Sequence, residues 1–472
     1  MLVDRSRHAA NLAIDAGWDQ ADAGAEMFDS QRRTHIVLVP GFGGFDALGQ
    51  IFYYAGVTVA FQEWRTKRRA AGLPDPAIAL HYFENLPTAG VQSRAMALRA
   101  FLEERAFRSI FEPGDRVALV GHSTGGLDIR QLLVNLNPRF PPPFREAATD
   151  VLVSDADLLA RIERLVFLSV PQRGTNIADF ARRIREPIQR SLANAEFALR
   201  ASHRSFLDKL ERFVLSQNLL PQETPQLFAA IRDAILETLP GNDATSAEGR
   251  YQAALARAAY GELIGWLDNV KSDFFAVDDL ASEFPEAQLP TPARYDQAVR
   301  GEELAAWSDR SVRTRSFATI GNSPYDVLPR TRTYKPSEFP KLLANFWPDH
   351  AASTDFVYRL AYAATAAGPF AITPGNDMAV ENGERRSVMA WENDGIVNTA
   401  SMLWPDAEQT ELVHGDHGDI IGHYRLSLPL TTAEAVSGRL NHSYDILRSS
   451  SGFDKPRFDG VWHGVFEFCA EP

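Results

Sequence analysis

The sequence predicts an α/β fold, a mostly parallel central sheet flanked by helices, with a helical cap inserted over it. Three observations carry that expectation. The runs 36–39, 117–120 and 165–170 are short and continuously apolar, as parallel strands buried on both faces are. Residues 96–107 and 127–136 repeat apolar side chains at helical spacing between those runs. From 178 to 270 no strand-like run occurs. Instead Phe206, Leu207, Leu210, Phe213 and Val214, then Phe228, Ile231, Ile235 and Leu239, form helical stripes, the second stopped by Pro240-Gly241.

The expected organisation is therefore a core segment over 1–177, a helical cap or lid over 178–290, and a second core segment over 291–472. After 291 the chain is rich in Pro and aromatics at irregular spacing. One strand is expected there, at 315–320, and a loop at 330–340.

Composition narrows the function classes. The 472 residues carry 48 Lys and Arg against 61 Asp and Glu, a net charge of −13, which does not suit nucleic acid or an anionic leaflet as main partner. With 45% hydrophobic and 23% charged residues the chain is not of the disordered class. The single cysteine, Cys469, excludes an internal disulfide and a cysteine zinc cluster. Residues 1–20 hold no apolar run of leader length, so a cytoplasmic location is expected. The longest uncharged stretch, 360–376, is broken by two Gly and two Pro, so no transmembrane segment is expected.

The strongest local signal is Gly121-His122-Ser123-Thr124-Gly125, a G-x-S-x-G pattern between a predicted strand and a predicted helix. A tight strand-to-helix turn strains the serine and lifts it clear of the backbone, and the glycines leave it room. Ser123 is the expected nucleophile. Its oxyanion needs two amides, one from the following residue, Thr124. The other is expected from Phe42 in Pro40-Gly41-Phe42-Gly43-Gly44, which follows the first strand.

A serine hydroxyl needs a base, usually histidine. Of 11 histidines, His417 lies in a Gly/Asp loop before an apolar stretch and is the expected base. His122 is read as structural, and His35 and His81 have no supporting pattern. The acid must precede the base. Asp394, in Glu392-Asn393-Asp394-Gly395, stands just before a glycine turn. The order Ser123, Asp394, His417 is that of the α/β-hydrolases.

The run from Trp391 to Met402 resembles the acid-bearing segment of the bacterial true lipases of the staphylococcal and thermophilic-bacillus type. Asp416-His417-Gly418-Asp419 resembles that family's histidine loop, Gly41-Phe42-Gly43-Gly44 its oxyanion loop, and Gly121 to Gly126 its elbow. The strand end Ser169-Val170-Pro171-Gln172-Arg173-Gly174-Thr175 is similar too. The resemblance implies an α/β-hydrolase fold, carboxylic ester hydrolysis through Ser123, Asp394 and His417, and a lid over a lipophilic site. It implies a small-molecule or lipid ester as substrate, with transient contact to a lipid surface.

The chain also departs from the family. Pro40 stands where the family has His. Only His81 lies between the first strand and the elbow, so the family's zinc pair is missing. Asp419 matches one calcium position, but Tyr424 and Arg425 replace its next Asp and Pro, and Asp419 is read as a solvated or turn carboxylate. The expectation is no cofactor. The alternatives to a lipase or esterase are an acyltransferase or thioesterase on the same machinery, or a binding protein that keeps the scaffold without catalysis.

Overall fold

Alternate residues of each predicted strand go to opposite faces of one sheet. Val37, Val39, Val117, Leu119, Leu165 and Phe167 enter one core, while Ile36, Leu38, Ala118, Val120, Val166 and Leu168 enter the other. Both faces are covered, which is why these strands read as unbroken apolar runs. The computed structural model describes residues 32–44, 47–48, 51–140, 151–178, 275–280, 297–323, 356–366, 378–405, 410–424, 445, 447, 449 and 451–471.

The chain runs β1 (Thr34–Val39), β2 (Ala47–Leu48), β3 (Ile51–Phe52), α1 (Val57–Ala70), β4 (Ile78–Tyr82), α2 (Val91–Phe107), β5 (Arg116–His122), α3 (Thr124–Leu136), α4 (Asp155–Arg161) and β6 (Ile162–Leu168). It continues through α5 (Phe275–Leu280), α6 (Gln297–Ser308), β7 (Arg313–Ile320), α7 (Phe356–Ala366), β8 (Met378–Glu381), β9 (Glu384–Ser387), β10 (Thr410–His414) and α8 (Lys455–Ala470). Eight strands form one sheet in the order β4-β1-β5-β6-β7-β10-β8-β9. Neighbours are parallel except β8 and β9. Helices α2 and α3 pack on one face, and α1 and α8 on the other. This is the sheet of an α/β-hydrolase fold.

Three expectations are corrected in detail. The run 165–170 is a strand over Ile162–Leu168, because Ser169 leaves the extended region at φ 52°. The region after 291 is more regular than its composition suggests. In α8, Phe458, Val461, Trp462, Val465, Phe466 and Cys469 form a buried stripe, Pro456 lies in the first turn, and the Asp454 side chain caps the Arg457 N–H. Edge strand β4, the β8–β9 hairpin and β10 are short or half-polar, so no apolar run announces them. The expected cap falls largely outside the described residues. Of 178–290 only Ala178 and Phe275–Leu280 are described, and the stripes at 206–214 and 228–239, like the loop at 330–340, are not among them.

Because the strands are parallel, their carboxyl ends share one edge. The loops after β1, β5 and β10 leave from it, and the Gly321 N–H at the end of β7 donates to the Asn393 carbonyl at 3.0 Å. That edge gathers the residues singled out in the sequence.

Candidate active site

Ser123 follows β5 with φ 53° and ψ −134°, a conformation that L-residues rarely adopt. It is held there from both sides. Its N–H donates to the Leu168 carbonyl at 3.0 Å, and its carbonyl accepts from Gly126 at 3.1 Å. A Cβ on Gly121 would lie 2.7 Å from Gly126, and one on Gly125 2.3 Å from the Val39 carbonyl, so both glycines are required by close approach. The Thr124 amide opens α3 at the positive end of its dipole.

The oxyanion loop lies directly on the elbow. A Cβ on Gly41 would sit 2.5 Å from Ser123 Cβ. Arg94, fully buried on α2, donates to the Pro40 and Gly41 carbonyls, both at 2.9 Å. The peptide plane then turns the Phe42 N–H away from Arg94. The Gly41 N–H is taken by the Tyr53 hydroxyl at 2.7 Å. Arg94 also pairs with Asp128 of α3 at 2.9 Å. Burial lifts the Asp128 carboxyl to about 6, and the guanidinium opposes that rise.

Asp394 is fully buried at the head of a tight turn in which Asn393 and Asn398 pair as an isolated bridge. Its Oδ1 accepts from the Ile396 and Val397 amides at 3.0 and 2.8 Å. Its Oδ2 accepts from His417 Nδ1 at 2.7 Å and from the Thr319 hydroxyl at 2.5 Å. The His417 N–H also donates to the Asp394 carbonyl at 3.0 Å. The His417 ring lies 4.6 Å from that of His122, the residue before Ser123.

The structure thus joins Asp394 to His417 and sets that pair beside the elbow. Ser123 and His417 are not hydrogen-bonded to each other, a common state before substrate binds. Thr124 follows the serine in the chain, and Gly41, the residue before Phe42, packs against it. Sequence reasoning missed Arg94, Tyr53 and Thr319. Arg94 falls on the buried stripe of α2, with Val91, Ala95 and Leu98, and Thr319 is a polar residue at the end of an apolar strand. Those were legible signals. Tyr53 left none.

Asp416 and Asp419 flank His417. Asp419 lies in a turn as expected, but it is buried rather than solvated. Asp416 accepts from the Ser449 hydroxyl at 2.5 Å and from the Gly418 amide at 2.9 Å. Asp419 Oδ2 accepts from the Ser451 hydroxyl and the Asp416 amide, both at 2.7 Å. Burial pushes both carboxyls above the usual carboxylate range. Lone pairs already aimed at O–H and N–H donors do not fit a calcium ligand set. Among the described residues no group of three or more His, Cys, Asp or Glu could hold a metal ion.

No protein-family model and no curated protein matches the chain. Solved structures do. A lipase of Pelosinus fermentans is 14% identical with a TM-score of 0.33, over 87% of this chain and 99% of that one. EstA of Clostridium botulinum is 15% identical with a TM-score of 0.36, over 85% and 86%. The mature lipase BlEst2 of Bacillus licheniformis is 13% identical with a TM-score of 0.32, over 84% and 89%.

Proposed function

We propose that the chain is a serine carboxylic-ester hydrolase of the lipase or esterase kind, related to the bacterial true lipases. One observation carries the reading. A strained serine follows β5, and the residue before it packs against a histidine whose Nδ1 is held by a buried aspartate. Ser123 attacks the acyl carbon while His417 takes its proton. The Phe42 and Thr124 amides hold the oxyanion, and Asp394 fixes the imidazole tautomer and balances its charge. His417 then protonates the leaving alkoxide, and a water activated in the same way releases the acid.

Phe42 and Leu86 support an apolar ester as substrate. They are 40% and 41% exposed, and the Asn85 N–H, one residue before Leu86, donates to the Gly44 carbonyl of the oxyanion loop at 2.6 Å. The test is Ser123→Ala. The variant should fold as the parent does, lose nearly all turnover of p-nitrophenyl esters and escape fluorophosphonate labelling. Retained turnover overturns the assignment. A parent that takes no label at Ser123 points instead to a scaffold without catalysis.

A further inference from the structure

Accepting Ser123 as nucleophile and His417 as base, we infer that Tyr53 and His122 are positioning residues that tie the oxyanion loop to the backbone of the base through one directed hydrogen-bond chain. The chain has three links. The Gly41 N–H meets the Tyr53 hydroxyl at 2.7 Å, that hydroxyl meets His122 Nδ1 at 2.7 Å, and His122 Nε2 meets the His417 carbonyl at 3.0 Å.

Its direction follows from donor chemistry. The His417 carbonyl only accepts, so His122 Nε2 carries the proton. His122 is 2% exposed, and burial, its largest influence, holds the ring neutral. A neutral ring with Nε2–H leaves Nδ1 as an acceptor. Tyr53 has one hydroxyl proton and gives it to Nδ1, so its oxygen accepts from Gly41. Each donor has an acceptor: the Gly41 N–H can only donate, the His417 carbonyl can only accept, and reversing the middle link would leave the neutral ring without an Nε2 proton for that carbonyl.

Both ends of the chain are functional. One is the amide next to Phe42, and the other is the backbone of the base. Two further contacts stop the middle from drifting. His423, beyond the base in the same loop, meets the Tyr53 carbonyl through Nε2 at 3.1 Å, and the Tyr54 hydroxyl donates to the Val39 carbonyl at 2.6 Å. Acylation needs the oxyanion donors and the base set against one serine oxygen together, and small misplacements are costly there. The chain fixes the two loops relative to each other rather than each to the sheet alone.

The test measures an ester and its thiono analogue, in which sulfur replaces the carbonyl oxygen, on the full chain. Sulfur accepts hydrogen bonds weakly, so the oxo-to-thiono rate ratio reports how well the oxyanion is held. A smaller folded fraction scales both rates alike and leaves the ratio unchanged. Tyr53→Phe should lower kcat for the oxo ester by about tenfold or more, hold KM within about twofold, and lower the ratio. His122→Gln keeps an N–H able to reach the His417 carbonyl, and it should retain several-fold more activity than His122→Ala.

A folded Tyr53→Phe with kcat and ratio within about twofold of the parent overturns the proposal. If Tyr53→Phe does not fold, the His122 pair decides, and equal losses in His122→Gln and His122→Ala overturn it. Turnover that survives Ser123→Ala sinks the hydrolase reading and this proposal with it. An inactive Ser123→Ala beside an unaffected Tyr53→Phe sinks the chain alone.

Discussion

His35 and His417 each hold an aspartate through one ring nitrogen, at opposite edges of the same sheet. His35 Nε2 meets Asp115 at 2.9 Å where β1 and β5 begin, and His417 Nδ1 meets Asp394 at 2.7 Å beyond their carboxyl ends. The pairs look alike in distance and burial. They differ at the second nitrogen. His35 Nδ1 is occupied by His81 Nε2 at 2.9 Å, and Phe111 packs against both rings. His417 Nε2 forms no hydrogen bond among the described residues, and its ring stands beside the residue that precedes a strained serine. An Asp–His pair is therefore not a catalytic signal in itself. The open nitrogen and the strained neighbour are what set one pair apart.

The sharpest way to break that contrast is to neutralise each aspartate in turn. Asp394→Asn keeps the shape but no longer enforces the tautomer, and kcat should fall on the order of 10⁴-fold. Asp115→Asn should leave kcat unchanged and cost about 1–3 kcal/mol of stability by weakening a buried hydrogen bond. Initial rates on p-nitrophenyl butyrate and urea unfolding separate the two. If Asp115→Asn lowers kcat as far as Asp394→Asn does, the distinction drawn here collapses.

A smaller effect is expected at Arg94. Lysine keeps a cation beside Asp128 but cannot donate to both the Pro40 and Gly41 carbonyls in one plane. Arg94→Lys should lower kcat by about tenfold, mainly through the oxyanion loop. A variant with unchanged kcat would show that the loop holds its shape without the fork.

How much of this was legible depended on whether a residue's role is local. The elbow was readable because strand, strained turn and helix are contiguous, and Gly121 and Gly125 stand where close approach demands them. Central strands were readable because both faces are buried. Asp394 and His417 could be ordered along the chain, but their meeting depends on β7 and β10 being neighbours, which periodicity does not encode. His35 and His81 carry no local pattern because their partners are distant in sequence: Asp115 reaches His35 through the β1–β5 register, and His81 reaches His35 through the β1–β4 register. Tyr53 is a loop residue whose hydroxyl matters only once three loops share one edge. Asp419 looked solvated because Ser451, whose hydroxyl donates to it, is not near it in sequence.

The smallest effect concerns acid, and it tests the structural pair. Burial lowers His35, His81 and His122 below the ordinary histidine value of 6.5. The unfolded chain therefore binds more protons than the folded one once pH drops below 6.5. Stability from these rings is present above that value and is lost as pH falls toward their folded values. A ring that stays neutral down to pH 5 costs up to about 2 kcal/mol over that interval. Asp416 and Asp419 act in the opposite sense. Their raised folded values mean stability is lost as pH rises from 3.8, so they oppose the histidines in the same interval. The histidine share is isolated by His81→Phe, which fills similar space against Phe111 but takes no proton. It lowers stability at pH 7, because His35 Nδ1 loses its donor, but the fall between pH 7 and pH 5 should shrink by about 1 kcal/mol. Urea midpoints for parent and variant at the two values measure that difference. An unchanged fall would mean that His81 becomes protonated in the folded protein as readily as in the unfolded chain, and the closed pair would then not be the neutral structural counterpart of the site.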